Sequence, residues 1–217
     1  MIVAVLGEKG GTGKTTLATN LAGMRATEGR DVLIIDADRQ GSASYWAEKR
    51  SDTHGDLPAV QSVQKFGEGL MRTVRDLERR YSDILIDAGA GDTREVESAL
   101  RVAEIAIIPV QPAGLDVWTL GLMDDRVGAA LAVNQTLTAY VVLNRTSANP
   151  KDTDADEARD AIDGCTQLHL APSMICDRVA VKRAAPAGVT VMEYKPFDAK
   201  AAHEMQQLYA LIFSTHR

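Results

Sequence analysis

The segment Lys9-Gly10-Gly11-Thr12-Gly13-Lys14-Thr15-Thr16 lies between a short aliphatic run, Ile2 to Leu6, and a segment of helical period that starts at Lys14. No other feature constrains the fold as much. Glycines at 10, 11 and 13, placed at a strand-to-helix junction, let backbone N–H groups turn inward around an anion, which a Cβ would obstruct. The unpaired N–H groups of a helix start, together with its dipole, favour negative charge at the same place. Lys14 then supplies a point charge between β- and γ-phosphates, the Thr15 hydroxyl can ligate Mg2+, and Thr16 can reach the α-phosphate. A strand before and a helix after are the context that such a loop requires.

The rest of the chain agrees with that junction. Short β-branched runs alternate with longer segments of helical period, which predicts an α/β fold: one mostly parallel sheet with helices on both faces. Strands are expected at Ile2 to Leu6, Val32 to Ile35, Ile84 to Ile86, Ile105 to Ile108 and Ala139 to Leu143, with shorter ones near Ala59 to Val63 and Leu168 to Leu170. Nearly all of their residues are apolar, as strands covered on both faces require. Helices are expected over Lys14 to Glu28, Gly67 to Arg80, Arg94 to Val102, Leu115 to Val133, Asp154 to Ile162, Asp177 to Ala185 and Phe197 to Phe213. No linker, repeat or low-complexity tail interrupts the pattern, so residues 1–217 are expected to form a single domain.

Composition excludes several classes. Cys165 and Cys176 form no C-x-x-C pair and provide neither a disulfide framework nor a zinc ligand set. The first residues have no basic region or small-residue cleavage site, and no apolar run approaches the ~18 residues needed to cross a bilayer. A cytoplasmic protein is expected. Aromatic residues make up 5% of the chain, so the core should be aliphatic. The acids Asp152, Asp154, Asp156, Glu157, Asp160 and Asp163 lack the spacing of a metal cage and read as a solvated surface. Leu208, Leu211, Ile212 and Phe213 read as core contacts of the last helix, since its polar face is poor in Lys and Arg. The net charge of −6 argues against wholesale coating of nucleic acid but leaves room for a local basic patch.

Two further runs complete a candidate site. Val32-Leu33-Ile34-Ile35-Asp36-Ala37-Asp38-Arg39-Gln40 is an expected buried strand that ends in two carboxylates. Tyr81 to Gly89 is another, ending in Asp87, which would hold Mg2+ through water. Alone, each aspartate would read as a cap or turn residue. Ligand sites of open α/β sheets lie beyond the carboxyl ends of strands, which is where these acids and the glycine loop all fall.

Lys9 to Thr16, Asp36-Ala37-Asp38-Arg39-Gln40, Trp46, Asp87 to Gly91 and the loop Ile108 to Asp116 together resemble the deviant Walker-A ATPases that include ParA partition proteins and MinD. The match spans nearly the whole chain, and the short ParF-like branch is the most similar. That branch lacks an N-terminal DNA-reading extension, and none is expected here. The resemblance implies ATP and Mg2+ as cofactors and slow, Mg2+-dependent hydrolysis. It implies a homodimer that sandwiches ATP, with Lys9 reaching the other subunit's phosphates. It gives Asp38 the attacking water, places Asp36 in support of the Mg2+ shell with Thr15 and Asp87, and makes Pro112 and Asn144 contacts to the nucleoside. Three positions depart from the family pattern: Glu8 stands where the strict loop has glycine, Arg39 replaces a proline, and no proline follows Asp87.

The resemblance also implies non-specific DNA binding by the ATP dimer and stimulation by a centromere-binding adaptor protein. Arg178, Lys182 and Arg183 are the candidate DNA contacts: no acid falls between Asp177 and Glu193, and residues 178 and 182 share a face if helical. A partition ATPase, located on the nucleoid when bound to ATP, is therefore the expected function. One alternative is a MinD-like membrane-cycling ATPase, which would need a basic amphipathic C-terminus that Ala201 to Arg217 does not supply; no stable membrane association is expected. The other is a phosphotransferase or synthetase on the same fold, which would need an acceptor pocket.

Overall fold

The computed structural model describes residues 1–91, 93–113, 115, 117–149 and 152–214. One parallel sheet organises the chain. Its strands are β1 (Ile2–Val5), β2 (Val32–Ala37), β3 (Gln61–Gln64), β4 (Asp83–Ala88), β5 (Ile105–Val110), β6 (Thr138–Thr146) and β7 (Leu168–Leu170), in the order β3-β2-β4-β1-β5-β6-β7. A two-residue strand, β8 (Ile175–Cys176), pairs with the end of β6. Every recorded strand pair is parallel.

The direction in which the chain crosses the sheet decides where each helix lies. From β1 to β3 it moves toward one edge, and the intervening helices α1 (Lys14–Thr27) and α2 (Ser42–Thr53) pack on one face. From β3 onward it moves the other way. The helices α3 (Glu68–Leu77), α4 (Thr93–Leu100), α5 (Val117–Leu131) and α6 (Asp154–Asp163) accordingly pack on the opposite face. Right-handed crossovers demand this switch. The last helices, α7 (Val179–Ala184) and α8 (Ala199–Phe213), return to the first face.

Alternate strand residues feed the two cores, as a pleat of period two requires. Val3, Val5, Ile34, Leu85, Ile107 and Val142 face α1, α2 and α8, whereas Ala4, Leu6, Leu33, Ile35, Ile86 and Val141 face α3 to α6. Both cores are mostly aliphatic; Trp46 of α2, fully buried, and Phe213 of α8 are the buried aromatic members.

Several expectations need correction. α2 was not foreseen, nor was β8. α7 begins at Val179, leaving Arg178 as its extended N-cap (φ −97°, ψ 148°) and off the helical face that was expected to include it. α5 is shorter at both ends than the expected Leu115 to Val133, although Gly114 and Asp116 near its start lie outside the described residues. α8 buries Leu208, Ile212 and Phe213 with Leu211 packed beside them, so its apolar face is core. Residues 215–217 of the Ala201 to Arg217 stretch lie outside the described residues. Among the described residues no helix is long and apolar enough to cross a membrane.

Candidate active site

All strands being parallel, their carboxyl ends share one edge, and there the loop 7–13 turns into α1. Gly13 takes the left-handed conformation (φ 94°) at the N-cap of α1, and a Cβ added to it would lie 2.2 Å from Asn144 Nδ2. Glycine is therefore required for both conformation and space. The loop's carbonyls are tied down from outside. Lys14 Nζ donates to the Lys9 carbonyl (2.7 Å), Gln111 Nε2 and Arg145 Nη1 donate to that of Gly11 (2.8 and 2.9 Å), and Asn144 Nδ2 donates to that of Thr12 (2.6 Å). With its carbonyls held this way, the loop keeps its N–H groups for an anion.

The cleft above the loop holds about 430 Å³ and is lined on one side by Gly10, Gly11, Gly13 and Lys14 to Thr16. Asp38, Gln40 and Ala90 form its second side, and Asn144, Arg145, Asp177 and Lys182 its third. Lys14 is buried, and burial lowers its pKa against the opposing pull of Asp87, Asp38 and Glu8. Below the cleft, β2 and β4 place Asp36 and Asp87 in register as neighbours. Thr15 Oγ1 donates to Asp87 Oδ2 at 2.6 Å. Burial pushes the Asp87 carboxyl up to about 7; Asp36 and Asp38 push the same way, while the Thr15 hydroxyl and Lys14 pull it down.

Asp36 is fully buried, and its two oxygens accept from the backbone N–H groups of Asp38 (3.1 Å) and Ser44 (2.7 Å). Ser44 lies in the first turn of α2, so Asp36 fixes both the turn that carries Asp38 and the helix that follows it. Its two oxygens thus hold the turn that carries Asp38 and the start of α2. Asp38 is half-buried on the cleft wall, and its Oδ1 accepts from Gln40 N (2.9 Å). Close packing of Gly89 on Asp38, where a Cβ would come within 3.2 Å of Cγ, brings the segment after β4 against it. Arg39, the departure from proline, lays its guanidinium over the Phe66 ring at 5.1 Å and so anchors the same turn to the residues after β3.

The remaining expected residues divide. Lys9 is exposed on the rim of the loop, and Asn144 is buried in the cleft wall with Oδ1 lacking a hydrogen-bond partner. Pro112 is buried, Leu115 N donates to its carbonyl (3.0 Å), and it is not among the residues lining the cleft. Gln111 beside it reaches the loop instead. Arg178, Lys182 and Arg183 do not form one free patch. Arg178 forms a bidentate pair with Glu204 of α8, Nε donating to Oε2 (3.2 Å) and Nη2 to Oε1 (2.6 Å), and Lys182 pairs with Asp177 (2.7 Å) on the cleft rim. Arg183 is exposed, with no ion pair recorded among the described residues.

Arg145 was not foreseen. It sits at the end of β6 in a left-handed conformation (φ 56°), rare for a side-chain-bearing residue, and its Nε lies 3.6 Å from Asp177 while Nη1 holds Gly11. The only signal in the sequence was its place beside Asn144 at a strand end.

The site suits a nucleoside triphosphate with Mg2+. The glycine loop and Lys14 match phosphate oxygens, and the orphaned Asn144 Oδ1 offers an acceptor inside the cleft. A buried Asp87 carboxylate crowded by two other acids would gain from a cation next to Thr15. No group of three His, Cys, Asp or Glu side chains among the described residues forms a metal cage. Mg2+ would neutralise charge on the phosphate oxygens.

A glycine anion nest at the first strand–helix junction, with acidic strand ends beside it in a parallel sheet, defines a phosphate-loop nucleotide-binding protein. The model of the CobQ/CobB/MinD/ParA nucleotide binding domain matches residues 3–191, and the chain belongs to that family of ParA/MinD-type ATPase domains. Maintenance of carboxysome distribution protein A of Halothiobacillus neapolitanus is 26% identical over 208 residues, covering 95% of this chain and 93% of that protein. The protein of the same name from Gloeobacter kilaueensis is 40% identical over 120 residues, 55% of this chain and 53% of its own, so the match spans about half of that relative. Among solved structures, the cell division ATPase MinD of Pyrococcus furiosus superposes with a TM-score of 0.74 at 23% identity, over 99% of this chain and 98% of that one. The ATP complex of Cyanothece McdA gives 0.73 at 16%, over 98% and 96%. Both share the fold.

Proposed function

We propose that the protein is an ATP-driven positioning ATPase: ATP joins two copies, the dimer holds DNA without reading its sequence, and an adaptor protein stimulates hydrolysis and carries the cargo. The observation that supports this most is the pair of lysines on one loop. Lys14 is buried and folded back into the nest, whereas Lys9 is exposed on the rim, where a second copy's phosphates could meet it. In this reading Lys14, Thr15 and Asp87 hold Mg·ATP, Asp38 orients the attacking water, and Asp36 holds Asp38 in place. Orientation of the water is the chief contribution the protein can make to such a reaction.

For the DNA contact, Arg183 is the strongest candidate, since Arg178 is committed to Glu204 and Lys182 is paired with Asp177. The cargo is a replicon, held through a centromere-binding adaptor. A second reading, a protein compartment as cargo, is favoured by the relative named for carboxysome distribution that aligns along nearly the whole chain. The membrane-cycling alternative loses support because the apolar face of α8 is core.

Retention of the purified protein on random duplex DNA tests the proposal. Binding should appear with Mg·ATP, fade with ADP and fall steeply with salt. Equal retention in all nucleotide states, or ATP-dependent binding to vesicles instead of DNA, would count against it.

A further inference from the structure

Glu8 occupies the position where the strict loop pattern has glycine, and its carboxylate turns toward α5. There Arg126 Nη1 donates to Glu8 Oε1, and Arg126 Nη2 donates to Thr93 Oγ1 at 3.1 Å. Both members of the ion pair are largely buried, Arg126 being 15% and Glu8 13% exposed. We propose that Arg126 is a positioning residue of the ATPase, neutralising Glu8 so that the loop can hold a polyanion and linking that loop to the start of α4.

Three observations carry this. First, Glu8 adjoins the glycine nest, and it acts electrostatically on Lys14, the residue that faces the phosphates. An uncompensated carboxylate there would repel phosphate and compete for the loop's lysines. Second, the pair is sheltered from solvent, so little screening would hide the charge if Arg126 were lost. Third, α5 and its leading loop grip the phosphate loop at two points, Arg126 at Glu8 and Gln111 at the Gly11 carbonyl, so the loop's shape depends on where α5 sits. Thr93 opens α4 just beyond the Asp87 to Gly91 segment, and Arg126 thereby holds both loops that flank the phosphate position. The inference rests on the reading that nucleotide occupies the nest.

The test is calorimetric binding of ATP and ADP to a charge series. Arg126→Met, which keeps the apolar stem, should weaken ATP on the order of tenfold, the effect expected of one uncompensated unit charge nearby at intermediate dielectric. ADP should weaken less, because it carries less charge. Glu8→Gln should bind ATP at least as tightly as wild type, and the double variant Glu8→Gln/Arg126→Met should regain most of the lost affinity. A merely structural Arg126 would give equal losses for ATP and ADP and no rescue, and that result overturns the proposal. If Arg126→Met does not fold, Arg126→Lys serves instead: near-wild-type affinity supports charge neutralisation, and a loss as large as that of a phosphate-loop variant overturns it. Wild type that binds no ATP would sink the nucleotide reading itself, an outcome separate from a failed rescue.

Discussion

The Thr15 hydroxyl lies 2.6 Å from Asp87 Oδ2, joining the first turn of α1 directly to the end of β4. Mg2+ would be held at this junction, with the Thr15 hydroxyl as a ligand and Asp87 acting through water. Asp87→Asn should weaken Mg·ATP roughly 10- to 100-fold, the range typical when a partner of a metal site is lost. Affinity for ATP in the presence of a chelator should change much less. Titration calorimetry with and without Mg2+ separates the two, and an equal loss in both conditions would place the metal elsewhere.

Arg50 of α2 is completely buried and makes a bidentate pair with Glu193 (2.8 and 2.7 Å), whose Oε2 also accepts from Thr190 N. Glu193→Gln leaves the guanidinium without its counter-charge and should cost about 3 kcal/mol in urea unfolding. Burial alone would raise the Glu193 carboxyl, but donation from Arg50 and Thr190 outweighs it and holds the group below the ordinary glutamate range. The folded state therefore binds fewer protons than the unfolded chain as acid is added. This stabilisation is present above the ordinary glutamate pKa and should be lost as pH falls through the lower folded value. In Glu193→Gln that part of the acid destabilisation should be missing.

Arg178→Ala removes the partner of Glu204, which also accepts from Cys176 N (3.0 Å), and should lower stability by about 1–3 kcal/mol. Arg183→Ala, on an exposed side chain, should stay within about 0.5 kcal/mol of wild type while reducing DNA retention. Chemical denaturation alongside a DNA-binding assay distinguishes a fold contact from a surface contact. Arg178→Ala with wild-type stability would contradict the structural role assigned to it.

Much of this was legible in the sequence because the physics is local. Unbroken aliphatic runs identify strands covered on both faces, and the glycine loop identifies its own junction. α2 escaped notice because its buried face is Ala43, Trp46, Ala47 and Arg50, a helical spacing without a Leu, Ile or Val to mark it. Arg50 reads as a surface residue until Glu193, far along the chain, is brought to it. The same holds at the site. Asp36, Asp38 and Asp87 were found because each ends a strand, whereas Arg145 and Arg126 act through partners 134 and 118 positions away. Arg178, Lys182 and Arg183 looked alike in the sequence, and only the folded chain separates them by the carboxylates it brings to two of the three.

The central claim is that ATP joins two copies through Lys9, and light scattering on the Asp38→Ala background tests it most directly. With Mg·ATP, Asp38→Ala should accumulate at twice the chain mass of 23.4 kDa and turn over on the order of 100-fold more slowly than wild type. Adding Lys9→Ala should return the mass to that of one chain while ATP still binds. A doubled mass that survives Lys9→Ala, or a single-chain mass for Asp38→Ala at saturating ATP, would contradict the account.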